Sequence, residues 1–205
     1  MDFLSTLALA MGSSWVSGIN LYASVATLGL LGRFAHLQLP GELGIVTNWW
    51  VIGVALFLYV IEFVADKVPY VDSVWDVVHT FIRVPAGAAM AAATFGDFDK
   101  GVQLIALLVG GSIALSSHGT KATSRMAINT SPEPFSNIGA SLLEDGVVIG
   151  STFLAVYYPV VIIVVVVIFV ILALIILPKI IRFLRRVKAK VSQFFGGKQA
   201  DENRI

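Results

Sequence analysis

The chain contains no cysteine, so disulfides and thiolate metal sites are excluded and the redox compartment leaves no trace. Charge is also scarce. Only 13% of the 205 residues are Asp, Glu, Lys or Arg, about half the share usual in soluble domains. With 57% hydrophobic residues and a mean hydropathy of +0.87, a soluble fold of this length could not hide its apolar surface, and lipid must solvate much of it. The net charge of +1 gives no concentrated basic face and argues against a nucleic-acid partner. Met1 to Ala10 lack the basic start of a cleavable signal peptide. The N-terminus is therefore read as retained, the alternative being cleavage near Ala10. No nucleophile elbow, phosphate loop or paired-His zinc helix is present, and no cofactor is expected.

What is present is apolar sequence in span-length pieces. A membrane-crossing helix needs about 20 mostly apolar residues. Six segments qualify: 14–35, 49–65, 72–95, 102–117, 135–157 and 159–177. The third and fifth have polar first halves, so re-entry of those two is the alternative to six full crossings. The expected fold is an all-α polytopic transmembrane bundle over residues 1–190, followed by a polar disordered tail over 191–205. Lys and Arg gather in cytoplasmic loops. The tail with Arg182, Arg185, Arg186, Lys188 and Lys190 should be cytoplasmic, and with six spans the N-terminus joins it. The loops carrying Lys67 and Lys121/Arg125 then fall inside, and those carrying Glu42 and Asp97/Asp99 outside. The basic helix from Lys179 to Phe195 reads as a topology anchor, with contact to anionic headgroups as the alternative. Trp49, Trp50, Tyr157 and Tyr158 read as interfacial belt residues.

A weak repeat runs through the middle. Asp72, Asp76 and His79 stand at i, i+4 and i+7, one face of a helix. Sixty-five positions on, Asn137, Ser141 and Glu144 repeat that spacing. Each stripe follows a proline (Pro69, Pro134), and the repeat spans about residues 49–95 and 101–157. Ionisable groups inside a bilayer are costly and mark pathways or buried pairs, and repeat interfaces are where transporters build their sites. The expected pathway residues are Asp72, Asp76, His79, Arg83, Asn137, Ser141, Glu144 and Asp145, around a polar cavity open to the cytoplasm. His79 and Glu144 should be partners across it, and Arg83 should hold an anion or neutralise Asp145. Supporting polar loops hold Glu62, Asp66, Lys67, Lys121, Arg125, Asn129 and Glu133. The bland alternative is that these groups cap helix starts at headgroup level. Gly18, Ala23, Gly29, Gly32, Gly87, Ala88 and Ala91 suit close helix crossing, within the chain or at a symmetric homo-oligomer face, with a lipid- or ligand-admitting gap as the alternative. Asn20 reads as bonded to a neighbouring helix, with substrate contact as the minority alternative.

The strings Glu62-Phe-Val-Ala-Asp66-Lys67-Val-Pro69, Asp72-Ser-Val-Trp75-Asp76, His79-Thr-Phe-Ile-Arg83-Val-Pro85-Ala-Gly87 and Asn129-Thr-Ser-Pro132-Glu133-Pro134-Phe-Ser136-Asn137 carry a resemblance. They resemble a family of small bacterial integral membrane proteins known only as a domain of unknown function, over most of the chain up to about Tyr158. The resemblance implies a bacterial inner membrane and a core built on these strings. It implies no activity. The leading expectation is transport: a small secondary transporter, flippase or channel for an anionic small molecule or phosphate-bearing lipid headgroup, with His79 carrying a coupling proton. The alternatives are a non-transporting assembly protein, whose polar groups form structural ion pairs, and a metal-dependent intramembrane enzyme using Asp72, Asp76 and His79.

Overall fold

The computed structural model describes residues 2–128 and 134–202, with side chains of 69, 70, 134 and 183–202 outside the description. Among the described residues it is all-α: α1 (Phe3–Phe34), a 3-10 helix (Gly41–Thr47), α2 (Trp49–Ala65), α3 (Pro69–Thr94), α4 (Lys100–Ile128), α5 (Pro134–Tyr157) and α6 (Pro159–Glu202). Local chemistry sets the boundaries. Proline opens α3, α5 and α6, where a missing N–H costs nothing. Asn48 and Asp99 accept the first free amides of α2 and α4, Trp50 N at 2.8 Å and Gly101 N at 2.8 Å. Asp2 caps α1, and hydrogen bonds from Ser5 hold its carboxyl below the ordinary aspartate value.

Four helices, α1, α4, α5 and α6, are long and apolar enough to cross a membrane. The 3-10 helix and α2, bent 67° to each other, bring the number to five. α1 is the central element, with 72% of its apolar window buried, whereas α6 buries 17% and turns its Val/Ile surface outward. A helix apolar all round and buried by the others is a core helix; one apolar and exposed faces lipid.

The expectation of a single straight span over 14–35 is corrected by the backbone. Asn20 has φ −146° and ψ 99°, which breaks α1 near its middle. Before the break, Ser14 and Ser17 donate to the carbonyls of Gly87 (2.9 Å) and Arg83 (3.1 Å). At the start of α1 the Phe3 ring lies 6.1 Å from Phe95. Residues 3–19 thus run antiparallel to α3. After the break, Tyr22 meets His79, Gly29 abuts Val46 and Ile52, and Gly32 abuts Thr47. The 3-10 helix then returns the chain to Ala93 and Gly96, on which Gly41 (φ 56°) rests. Residues 21–34 therefore run back toward the same end of α3. A straight helix of this length would carry its two ends about 48 Å apart. Instead α1 doubles back at Asn20, and both its ends lie at the Phe95 end of the bundle, opposite the C-terminal end of α6. The expectation that both chain termini share one side counted α1 as a full crossing and loses that basis.

The first half of α1 is wedged between α3 and α4 through small residues. A Cβ on Gly18 would collide with Ser117 and Ala114, one on Gly87 with Ala114 and Ser17, and one on Gly110 with Ala91 and Ser14. Close helix crossing is what these positions do. α4 also continues to Ile128, eleven residues past the sequence-derived end at 117, and α6 carries the helical backbone through Glu202, into the segment read as a polar tail.

Candidate functional site

The tip of the broken helix points into a cluster of charge. Lys121 on α4 is its hub. Its ammonium donates to the Ile19 carbonyl at 3.0 Å, an acceptor released by the break at Asn20, and to Asp66 Oδ2 at 3.3 Å. Glu144, Glu62 and Asp76 stand at 3.4, 3.7 and 3.9 Å from the same nitrogen. Arg83 on α3 bridges Glu62 (2.7 Å) and Asp76 (2.9 Å). Arg125, one turn beyond Lys121, holds Glu144 (2.7 Å) and donates to Asn137 Oδ1 (2.6 Å), while Asn137 Nδ2 donates to the Asp66 carbonyl (2.8 Å). Four helices and one helix end are joined through a single network. Arg83, Glu62, Asp66, Lys121 and Arg125 are each at most 5% exposed.

The composition of this network is uneven. Three cations, Arg83, Lys121 and Arg125, face four carboxylates, Glu62, Asp66, Asp76 and Glu144. Buried Asp72 and Asp145 raise the acids to six. Glu62 Oε2, Asp66 Oδ1 and Asp76 Oδ2 are buried without a hydrogen-bond partner, as are Arg83 Nε and Ser141 Oγ. Buried polar atoms left so cost about 1–3 kcal/mol each, and such a concentration calls for an explanation.

Around the network lie further polar groups. His79 Nδ1 is 2.8 Å from the Trp75 carbonyl, which only accepts, so Nδ1 carries the proton and Nε2 accepts from Tyr22 at 3.1 Å. Trp75 stacks on that imidazole at 4.2 Å and Tyr22 meets it edge-on. Thr80 donates to the Asp76 carbonyl, so His118 Nε2 donates to Thr80 (2.7 Å) and Nδ1 faces Arg83 at 3.4 Å. Asp145 on α5 accepts from Asn20 Nδ2 (3.0 Å) and from the Tyr59 hydroxyl (3.2 Å).

Both polar stripes thus reach one buried region, with differences from the expected arrangement. Arg83 neutralises Glu62 and Asp76, not Asp145. His79 and Glu144 are not partners: the first is closed off by Tyr22 and Trp75, the second belongs to Arg125 and Lys121. Glu62, Lys121 and Arg125 are helix residues at the centre of the site, and Asp66 caps α2; none sits in a supporting loop. Hydropathy hides this because a helix turn bearing Lys121 and Arg125 looks like its end. Ser117, His118, Lys121 and Arg125 nevertheless share one helix face, which was the available signal for His118. Lys67 alone lies in a connection, over the Phe63 ring, with burial pulling its ammonium below the ordinary lysine value and Asp145 opposing that. Asn129 and Glu133 fall outside the described residues. Tyr22, Tyr59 and His118 join the site without belonging to either polar stripe. Glu144, with 16% of its side chain exposed, opens on a groove of about 240 Å³ beside Trp15, Leu143, Val147 and Phe169. Among the described residues no three His, Asp or Glu side chains gather as metal ligands.

A family profile described as Domain of unknown function (DUF4126) matches residues 7–179, which cover α2 to α5, most of α1, the first half of α6 and all the network residues. The chain belongs to that family. No curated protein and no solved structure matches it. Membership in DUF4126 agrees with a helical membrane protein and assigns no activity.

Proposed function

We propose that this DUF4126 protein is a small secondary transporter of a bacterial cytoplasmic membrane, moving a cation or a proton-coupled solute past the tip of α1. The observation that carries the reading is the acid-rich ion network gathered at a helix break. Discontinuous helices whose freed backbone groups meet ionisable side chains near mid-membrane are how secondary transporters build sites, and buried charge in a bilayer is retained for such work. The expected anionic or phosphate-bearing substrate fits less well, because the buried cations among the described residues, Arg83, Lys121 and Arg125, are already engaged by carboxylates. With the basic end of α6 inside, as Lys179 and Arg182 favour, α2 to α6 cross five times. α1 then enters from the outer side and turns back. The expected 65-residue repeat draws support from hairpins α2–α3 and α4–α5, each of which carries an ion pair between its helices, Glu62–Arg83 and Arg125–Glu144.

The test is reconstitution of the purified chain in liposomes carrying an internal pH indicator, challenged with a panel of inorganic and organic cations. Wild type should dissipate an imposed gradient faster than protein-free vesicles, and Arg83→Ala should not. A folded protein without flux above the empty vesicles removes the transport reading. A second reading, a non-transporting assembly protein, draws on the direct contacts within the network, which leave its charged groups packed against one another. It expects loss of folding and no flux phenotype in any variant that still folds.

A further inference from the structure

The network ties its cations to acids, but one buried acid is left out of that arrangement. Asp145 is 6% exposed, and among the described residues no cation lies within ion-pair distance of it. Its two oxygens are held by neutral donors only, Asn20 Nδ2 and Tyr59 Oη. A carboxylate taken out of water without a counter-charge is among the costliest groups a protein can hold, and it escapes the cost by taking up a proton. We propose that Asp145 is a proton-binding site and that Asn20 transmits its charge state to the break in α1. The proposal deepens the transport reading by naming the coupling ion, and rests on that reading for its purpose only.

The geometry gives the proton a mechanical consequence. Asn20 uses both ends of its amide: Nδ2 donates to Asp145, and Oδ1 accepts from Ala23 N at 2.9 Å, capping the second half of α1. When Asp145 is charged, the Asn20 bond is charge-assisted and holds the break to α5. One proton arriving at Oδ2 forms an O–H there and cancels the charge. The new O–H donates to Tyr59 once that hydroxyl turns over, and the Asn20 bond falls to the strength of a neutral pair. The residue released from α5 is the one residue that departs from helical geometry in α1. Ile19, its neighbour, is meanwhile held by Lys121. The charged and titratable groups facing Asp145 are Lys121 from α4, and Tyr59, Asp66 and Lys67 from α2 and its end. α6 carries no ionisable side chain before Lys179. His79, the expected proton carrier, already has both ring nitrogens engaged.

The test is an infrared pH titration of the full chain in lipid nanodiscs with isotope-labelled aspartate. Wild type should develop one protonated-carboxyl band as pH falls between about 9 and 4, and Asp145→Asn should lose it. Tyr59→Phe removes a donor to the charged form, so its midpoint should move up by about one pH unit. This shift decides the matter even if Asp145→Asn does not fold, because a carboxylate with a fixed charge would show no midpoint to move. The same band in Asp145→Asn, or a Tyr59→Phe midpoint unchanged from wild type, overturns the proposal. A titrating Asp145 in a protein without flux would sink transport and leave the proton site standing, whereas flux without the band would do the reverse.

Discussion

Lys121 brings one positive charge to a place where four carboxylates lie within 4 Å. Removing it leaves buried acids facing each other, so its loss should cost far more than a surface pair would. Breaking a buried pair from one side costs about 3–5 kcal/mol. Lys121→Met should therefore lower unfolding stability by at least that amount, measured by denaturant titration in detergent, and the double variant with Glu62→Gln should recover part of it. A loss under about 1 kcal/mol would mean that water reaches the network. His79 offers a gentler test. Its neutral ring needs the Tyr22 hydroxyl as donor, so Tyr22→Phe should cost about 1–3 kcal/mol by stranding Nε2, while Trp75→Leu should remove only stacking. These groups were legible as polar residues on helix faces. Their pairing was not, because i, i+4 spacing states which residues share a face and says nothing about the face opposite.

At the scale of the element, the break at Asn20 makes α1 a core hairpin instead of a span. Asn20→Asp keeps an acceptor for the Ala23 amide but sets a second carboxylate against Asp145. It should destabilise the protein most at neutral pH and progressively less as pH falls and one of the two acids is protonated; a pH-independent cost would refute the juxtaposition. The crossing of α1 with α4 is equally specific. Gly18→Ala puts a methyl where Ser117 and the Ala114 carbonyl already stand, so it should cost about 1–3 kcal/mol in thermal unfolding. Gly53→Ala, where nothing lies within 4 Å, should be neutral or slightly stabilising. The sequence marks Gly18 among the residues suited to close crossing, but the collision itself is set by the neighbours it meets.

For the whole molecule, sidedness is the sharpest consequence. The natural absence of cysteine makes single-cysteine labelling direct. With α1 doubling back, a cysteine at Asp2 should react with an impermeant maleimide from the same side as one at Asp99, and one at Arg182 from the other. Six full crossings would instead put Asp2 and Arg182 together, with Asp99 opposite. Composition cannot separate these topologies. A 32-residue apolar stretch satisfies a hydropathy test equally well whether it crosses once or enters and returns, since the test measures solvation of side chains and ignores chain direction.

Sequence alone determined that this chain is a helical membrane protein, where most of its helices lie, and which residues are polar at depth. Those facts follow from transfer energies and helix periodicity, which act locally. The tertiary structure decided that α1 turns back at Asn20, that Lys121 and Arg125 belong to a helix interior, and that Asp145 forms no ion pair among the described residues. Each of these depends on what lies across a helix interface, where distances of a few ångströms between residues remote in the chain fix the balance of charge.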